Sequence, residues 1–150
     1  MKKIIALGAI VIFMTACSIK QTLEPAQLAS DADVCVVNNP KVRDGVLSAM
    51  SDVLAEKGVA YRIVESDESA ASCDWRIKYT ANWHWDLAVY MTYVRIDVYY
   101  KESLEGFAEY DSRRGGGRLD KFIDADAKIR ELVEELIQRE YAFLLNRSYG

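Results

Sequence analysis

The chain has 150 residues, 51% of them hydrophobic and 28% charged, which is enough apolar material for one domain with a packed core and excludes wholesale disorder. A formal charge of −4 argues against nucleic acid as a partner, because phosphate backbones are held by clustered cations. A single histidine excludes a multi-histidine metal site within one chain, and no metal or cofactor is expected.

The first element is an export signal. Lys2 and Lys3 precede an uncharged run from Ile4 to Ala16, the n-region and h-region of a signal peptide. Thirteen helical residues reach about 20 Å, short of the roughly 30 Å hydrocarbon core, so a permanent span is not expected. The run ends Met14-Thr15-Ala16-Cys17. Met14 is too bulky for the small-residue rule of ordinary cleavage. The segment instead resembles the bacterial lipobox, in which a large aliphatic residue, two small ones and a cysteine precede lipid transfer to the thiol. That resemblance implies cleavage after Ala16 (residues 1–16 removed), diacylglycerol on the Cys17 sulfur and a palmitate-type acyl chain on its freed amine. Ser18 stands where an Asp would signal inner-membrane retention, which implies outer-membrane sorting. The alternative is a plain secreted protein with a chance cysteine.

Two or three acyl chains anchor stably, at about 0.8 kcal/mol per buried methylene. Cleavage removes Lys2 and Lys3 and no acid, leaving 17 basic against 23 acidic side chains, or −6. A net-negative body is not drawn to anionic lipid, so the acyl chains would do the holding. After Cys17, residues 18–31 lack hydrophobic periodicity and contain Pro25. Residues 17–31 therefore read as a lipidated N-terminus and flexible tether, and residues 32–150 as a single periplasmic domain.

Cys35 and Cys73 remain in that domain. Export places them where disulfides persist, and two cysteines allow one intramolecular pairing. The alternative is two free buried thiols. No C-x-x-C redox motif is present.

Within the domain, Val34-Cys35-Val36-Val37 reads as a first strand. Asn39 can cap a helix and Pro40 fits its first turn. Val42, Val46, Ala49, Met50, Val53 and Leu54 then recur at helical spacing, and Gly58 closes the pattern. Val59 to Val64 is a second strand, parallel to the first by a right-handed crossover. Residues 65–72 form a polar loop. From Trp75 to Asp86 the alternation is strict: Trp75, Ile77, Tyr79, Ala81, Trp83 and Trp85 share one face. After a turn near Asp86, Leu87, Val89, Met91 and Tyr93 share one parity, and Val94, Ile96, Val98 and Tyr100 the other, as a β-bulge near Thr92–Val94 would produce. Lys101-Glu102-Ser103 turns the chain into a strand from Leu104 to Tyr110, with Ala108 and Tyr110 inward. A basic loop, Arg113 to Arg118, leads to a long helix capped by Asp120 or Asp124. Ile129, Leu132, Val133, Leu136 and Ile137 line its inner face, and the pattern continues through Tyr141, Phe143 and Leu144. The expected fold class is α+β: a single layer of about five strands in βαββββα order, mixed and mostly antiparallel, with two helices on one face.

Few residues carry chemistry. His84 and Asp86 share a strand face, but a hydrolase needs a nucleophile, and no G-x-S-x-G motif exists. Trp83, Trp85, Tyr79, Tyr90 and Tyr93 concentrate aromatic surface at the long hairpin, where rings stack on glycans or anchor proteins. Parity assigns Trp83 and Trp85 to the core, with Trp85, nearest the turn, the exception to expect. The loop holding Arg113, Arg114 and Arg118 suits an anion or a mobile connector, and lacks the Walker pattern. The candidate binding residues are thus Trp85, His84, Arg113, Arg114 and Arg118.

Three stretches, Val34 to Pro40, Tyr79 to Ala88 and Lys121-Phe122-Ile123, resemble a family of short, functionally uncharacterised outer-membrane lipoproteins of Gram-negative bacteria. The resemblance implies an envelope location and a disulfide, and no activity. More loosely, the element order is similar to small α/β domains of envelope proteins, such as the N-terminal domain of the Tol–Pal translocation protein. The expectation is a non-enzymatic binding or adaptor module, joined to the membrane by its N-terminal lipid and to an envelope protein partner. The alternatives are a binder of small ligands or glycans through the aromatic hairpin, and a hydrolase around His84.

Overall fold

A computed structural model describes residues 19–114 and 122–139. The leader, Cys17, Arg118, Lys121 and the helical continuation through Tyr141, Phe143 and Leu144 lie outside the described residues. The fold is α+β, built on a mixed six-stranded sheet. The strands are β1 (Lys20–Glu24), β2 (Ala26–Leu28), β3 (Asp33–Val37), β4 (Ala60–Val64), β5 (Trp75–Asp86), β6 (Ala88–Tyr100), β7 (Ser103–Asp111) and β8 (Ile137–Arg139). The helices are α1 (Asp44–Glu56), α2 (Asp67–Ala70) and α3 (Ala125–Leu136). The large sheet runs β1-β7-β6-β5-β3-β4, and β2 pairs with β8 in a second, two-stranded sheet.

The β3-α1-β4 unit is a parallel crossover, as the sequence pattern predicts, and β3 also lies parallel to β5. The β5-β6-β7-β1 half is antiparallel. Alternate residues of the central strands (Val34, Val36, Ile77, Ala81, Val94, Ile96, Val98, Ala108) are buried with the inner faces of α1 and α3 in one core. Both longer helices therefore cover a single face of the sheet. At its start α3 is capped by Asp124, whose Oδ1 accepts from the Ala127 amide at 3.0 Å. Gly58 follows α1 at φ +66°, the left-handed position that ends a helix at least cost in glycine.

The opposite face carries the disulfide. Cys35 and Cys73 are bonded, with Cα atoms 6.0 Å apart, and they pack with Ala70, Val37 and Val64. The 65–72 segment, expected as a loop, contains the one-turn helix α2 there. Its N-cap Ser66 accepts from the Ser69 amide at 3.2 Å.

Four further expectations are corrected. Residues 17–31 are not a tether throughout: β1 is an edge strand hydrogen-bonded along β7, and Ala26 and Leu28 are fully buried. β1 shows no periodicity because only Leu23 of its five side chains is even half-buried, so backbone pairing rather than side-chain burial specifies it. With β1, β2 and β8 added, the five expected strands become eight among the described residues, in two sheets. Helix α1 begins at Asp44, not at Pro40, because Asn39 is used elsewhere. Its Oδ1 accepts from the Lys41 amide, and its Nδ2 donates to the Tyr79 carbonyl, tying the turn to β5. Ile137 is buried at helical spacing, yet the chain turns extended there and pairs with β2. At the hairpin tip Leu87 and Val89, which share the parity of buried Met91, are exposed, because the tip reaches past the neighbouring strands of the described residues. The predicted bulge is present: Asn82 pairs with Tyr93 and Trp83 with Met91, leaving Thr92 as the extra residue.

Candidate functional site

Two of the candidate residues, His84 and Arg113, meet where the β5–β6 hairpin leaves the rest of the sheet. Lys20, Asp111, Tyr93 and Asn82 stand in one row across β1, β7, β6 and β5. Beyond this row, among the described residues, only β5 and β6 continue, to a turn at Leu87. The chain leaving β7 is fastened at the bulge. The Ser112 amide donates to the Thr92 carbonyl at 2.8 Å and the Ser112 hydroxyl donates to the same oxygen at 3.2 Å. The Thr92 hydroxyl in turn donates to the Asn82 carbonyl at 3.2 Å. A bulge exposes backbone groups that a regular ladder would consume, and here those groups hold the start of the basic loop.

Arg113 is thereby set beside the hairpin. Its guanidinium grips Asp111 with two donors, at 2.9 and 2.6 Å, and lies 4.2 Å from the Tyr93 ring centroid. These hydrogen bonds hold the Asp111 carboxyl below the usual carboxylate range, while burial, then the nearby Glu109 charge, push the Tyr93 hydroxyl up. An anion at Arg113 would have to compete with that carboxylate. Arg114 is exposed. A shallow cleft of about 420 Å³ is lined by Trp83, His84, Asp86, Tyr90, Thr92, Ser112 and Arg113. The fold thus joins His84 with Arg113, two candidates far apart in the chain.

His84 is exposed and faces Tyr90 across the strands, ring to ring at 6.1 Å. Tyr90 packs edge-on against Phe122 at 4.9 Å, so the segment entering α3 closes over this face of the hairpin. Ser112 spends its hydroxyl on the Thr92 carbonyl, a role for a structural group rather than an activated nucleophile. On the other face, Trp83 is half-buried against the core, with the Arg43 guanidinium 5.1 Å from its ring centroid. Trp85, the expected exception, is 68% exposed. Leu87 and Val89 belong with it. The turn signal at Asp86 placed them near a tip, and the lengths of the neighbouring strands leave them exposed among the described residues.

No protein-family model matches this chain, and no curated protein matches it. Among solved structures, the chain is similar to the PelC dodecamer from Paraburkholderia phytofirmans, with a TM-score of 0.55 and 17% identity over 79% of this chain and 98% of that one. A point variant of the same PelC, also a dodecamer, gives 0.51 and 15% over 79% and 95%. At this level of identity the likeness establishes a shared fold.

Proposed function

We propose that this chain is an outer-membrane lipoprotein whose periplasmic domain is a non-enzymatic binding or adaptor module of the cell envelope. The observation that carries this reading is the apolar run ending in Met14-Thr15-Ala16-Cys17 behind two lysines. The Cys35–Cys73 disulfide supports it, since such bonds persist in oxidising compartments. The projecting hairpin supports the binding role: an aromatic and apolar end on a rigid two-stranded arm suits contact better than chemistry. The family of short outer-membrane lipoproteins that the sequence resembles agrees with the same address. Self-association belongs to the reading as well, supported by the dodecamers formed by the similar folds.

Mass spectrometry of protein extracted from membranes tests the proposal. The denatured mass is expected to show loss of residues 1–16, diacylglycerol and an acyl chain on Cys17, and two fewer hydrogens for the disulfide. The native mass reads the subunit number. An intact leader with unmodified Cys17 overturns the proposal.

A further inference from the structure

The hairpin arm ends in apolar side chains. Trp85 is 68% exposed, Leu87 89% and Val89 49%. Trp85 and Val89 are cross-strand partners, so the three make one continuous patch around the turn. Leu87, at the apex, has φ 63°, a conformation for which glycine, asparagine or aspartate is the low-cost choice. A leucine there adds backbone strain and sets apolar surface in water. The exposed apolar surface makes sense where the side chain leaves water for an apolar medium.

The direction of the arm says which medium. β1 begins at Lys20, in the row with Asp111, Tyr93 and Asn82. It runs away from that row toward Glu24, so the chain enters β1 at the end of the sheet from which the hairpin projects. Five residues of strand from Asn82 to Leu87 extend roughly 17 Å. Three residues of chain from Cys17 to Lys20 extend about 10 Å at most. Lipid on Cys17 and the apolar tip therefore address the same plane. The tip can reach several ångströms deeper, comparable to the roughly 5–10 Å at which interfacial elements sit. Arg43, over Trp83, stands behind the tip, and tryptophan itself favours the membrane–water interface.

We propose that Trp85, Leu87 and Val89 insert into the lipid surface beside the Cys17 anchor, giving the domain a second, non-covalent foothold that fixes its orientation. The inference rests on the lipoprotein reading above. To test it, full-length acylated protein is reconstituted into phosphatidylethanolamine–phosphatidylglycerol vesicles carrying brominated acyl chains. Bromolipid is expected to quench a component of the tryptophan emission that is absent in Trp85→Phe. Leu87→Asn is expected to reduce that quenching while its thermal unfolding midpoint stays the same or rises, since asparagine tolerates the turn. Equal quenching of wild type and Trp85→Phe overturns the proposal. So does a Trp85 shielded from both bromolipid and aqueous iodide, which would mean that protein covers the tip. The intact mass of the same sample separates the two claims. An acylated but unquenched protein keeps the anchor and refutes the tip, whereas Cys17 without lipid refutes the anchor and the tip with it.

Discussion

Arg113 illustrates how one side chain organises this molecule. It bridges β7 and the hairpin by holding Asp111 through two hydrogen bonds and covering Tyr93 with its guanidinium. Both partners are partly exposed, so solvent screens the pair and its contribution to stability is small. Its effect on titration is the clearer handle. Asp111 is depressed, so its contribution is complete above the unfolded carboxylate pKa of about 3.9 and disappears as pH falls through the lower folded value. Arg113→Gln is expected to return the Asp111 carboxyl toward its ordinary range and to raise the Tyr93 hydroxyl further, since Arg113 opposes that shift. Carbon-detected NMR titration of the two side chains reads both changes; an Asp111 titration unmoved by the substitution would show that the pair does not form in solution. The residue types at this site were readable in advance: His84 and Trp85 stand out by alternation, and Arg113 by the charge of its loop. That His84 and Arg113 share a cleft was not, because a bulge at Thr92 joins them and the acceptors involved are backbone carbonyls.

At the scale of elements, the most informative contact is the one between Gly106 and the β1–β2 corner. A Cβ at Gly106 would stand 2.5 Å from the Glu24 carbonyl oxygen and 2.6 Å from the Ala26 nitrogen. Both obstacles are backbone, which cannot move aside as a flexible side chain can. Gly106→Ala is therefore expected to destabilise the fold by about 1–3 kcal/mol or more, read as a lowered denaturant midpoint. A neutral result would show that residues 20–28 are not docked on β7. A glycine within a strand marks close backbone approach, yet the approaching segment carries no pattern of its own. β1 is an exposed edge held by its ladder, and β2 has two buried side chains in three residues. The longer elements declared themselves because burial imposes period: α1 and α3 by their inner stripes, β5 and β6 by alternation, and the bulge by a change of parity.

The molecule as a whole is braced on its second face by the Cys35–Cys73 bond, which closes a 38-residue segment containing α1, β4 and α2. Arg62 lies over it and donates to both sulfurs, at 3.3 and 2.9 Å. The loop-entropy model assigns such a closure on the order of 4 kcal/mol. Thermal unfolding in the presence of reductant, or of the Cys35→Ala/Cys73→Ala variant, is expected to show a markedly lower midpoint. An unchanged midpoint would mean that the core on the helical face stabilises the domain without the bond.

Two kinds of information decided this structure. Local chemistry along the chain, meaning runs of apolar residues, their period, caps and turn residues, was sufficient for the α+β class, the parallel β3-α1-β4 unit, the long hairpin and the pairing of the two domain cysteines. Each of those follows from burying one face of a segment or closing one loop. The edge strands β1, β2 and β8, the meeting of His84 with Arg113, and the exposure of Trp85, Leu87 and Val89 depend instead on which strands lie beside which and where each stops. A side chain cannot know from its neighbours in sequence whether a helix will lie over it, and at the tip of this hairpin none of the described residues forms one that does.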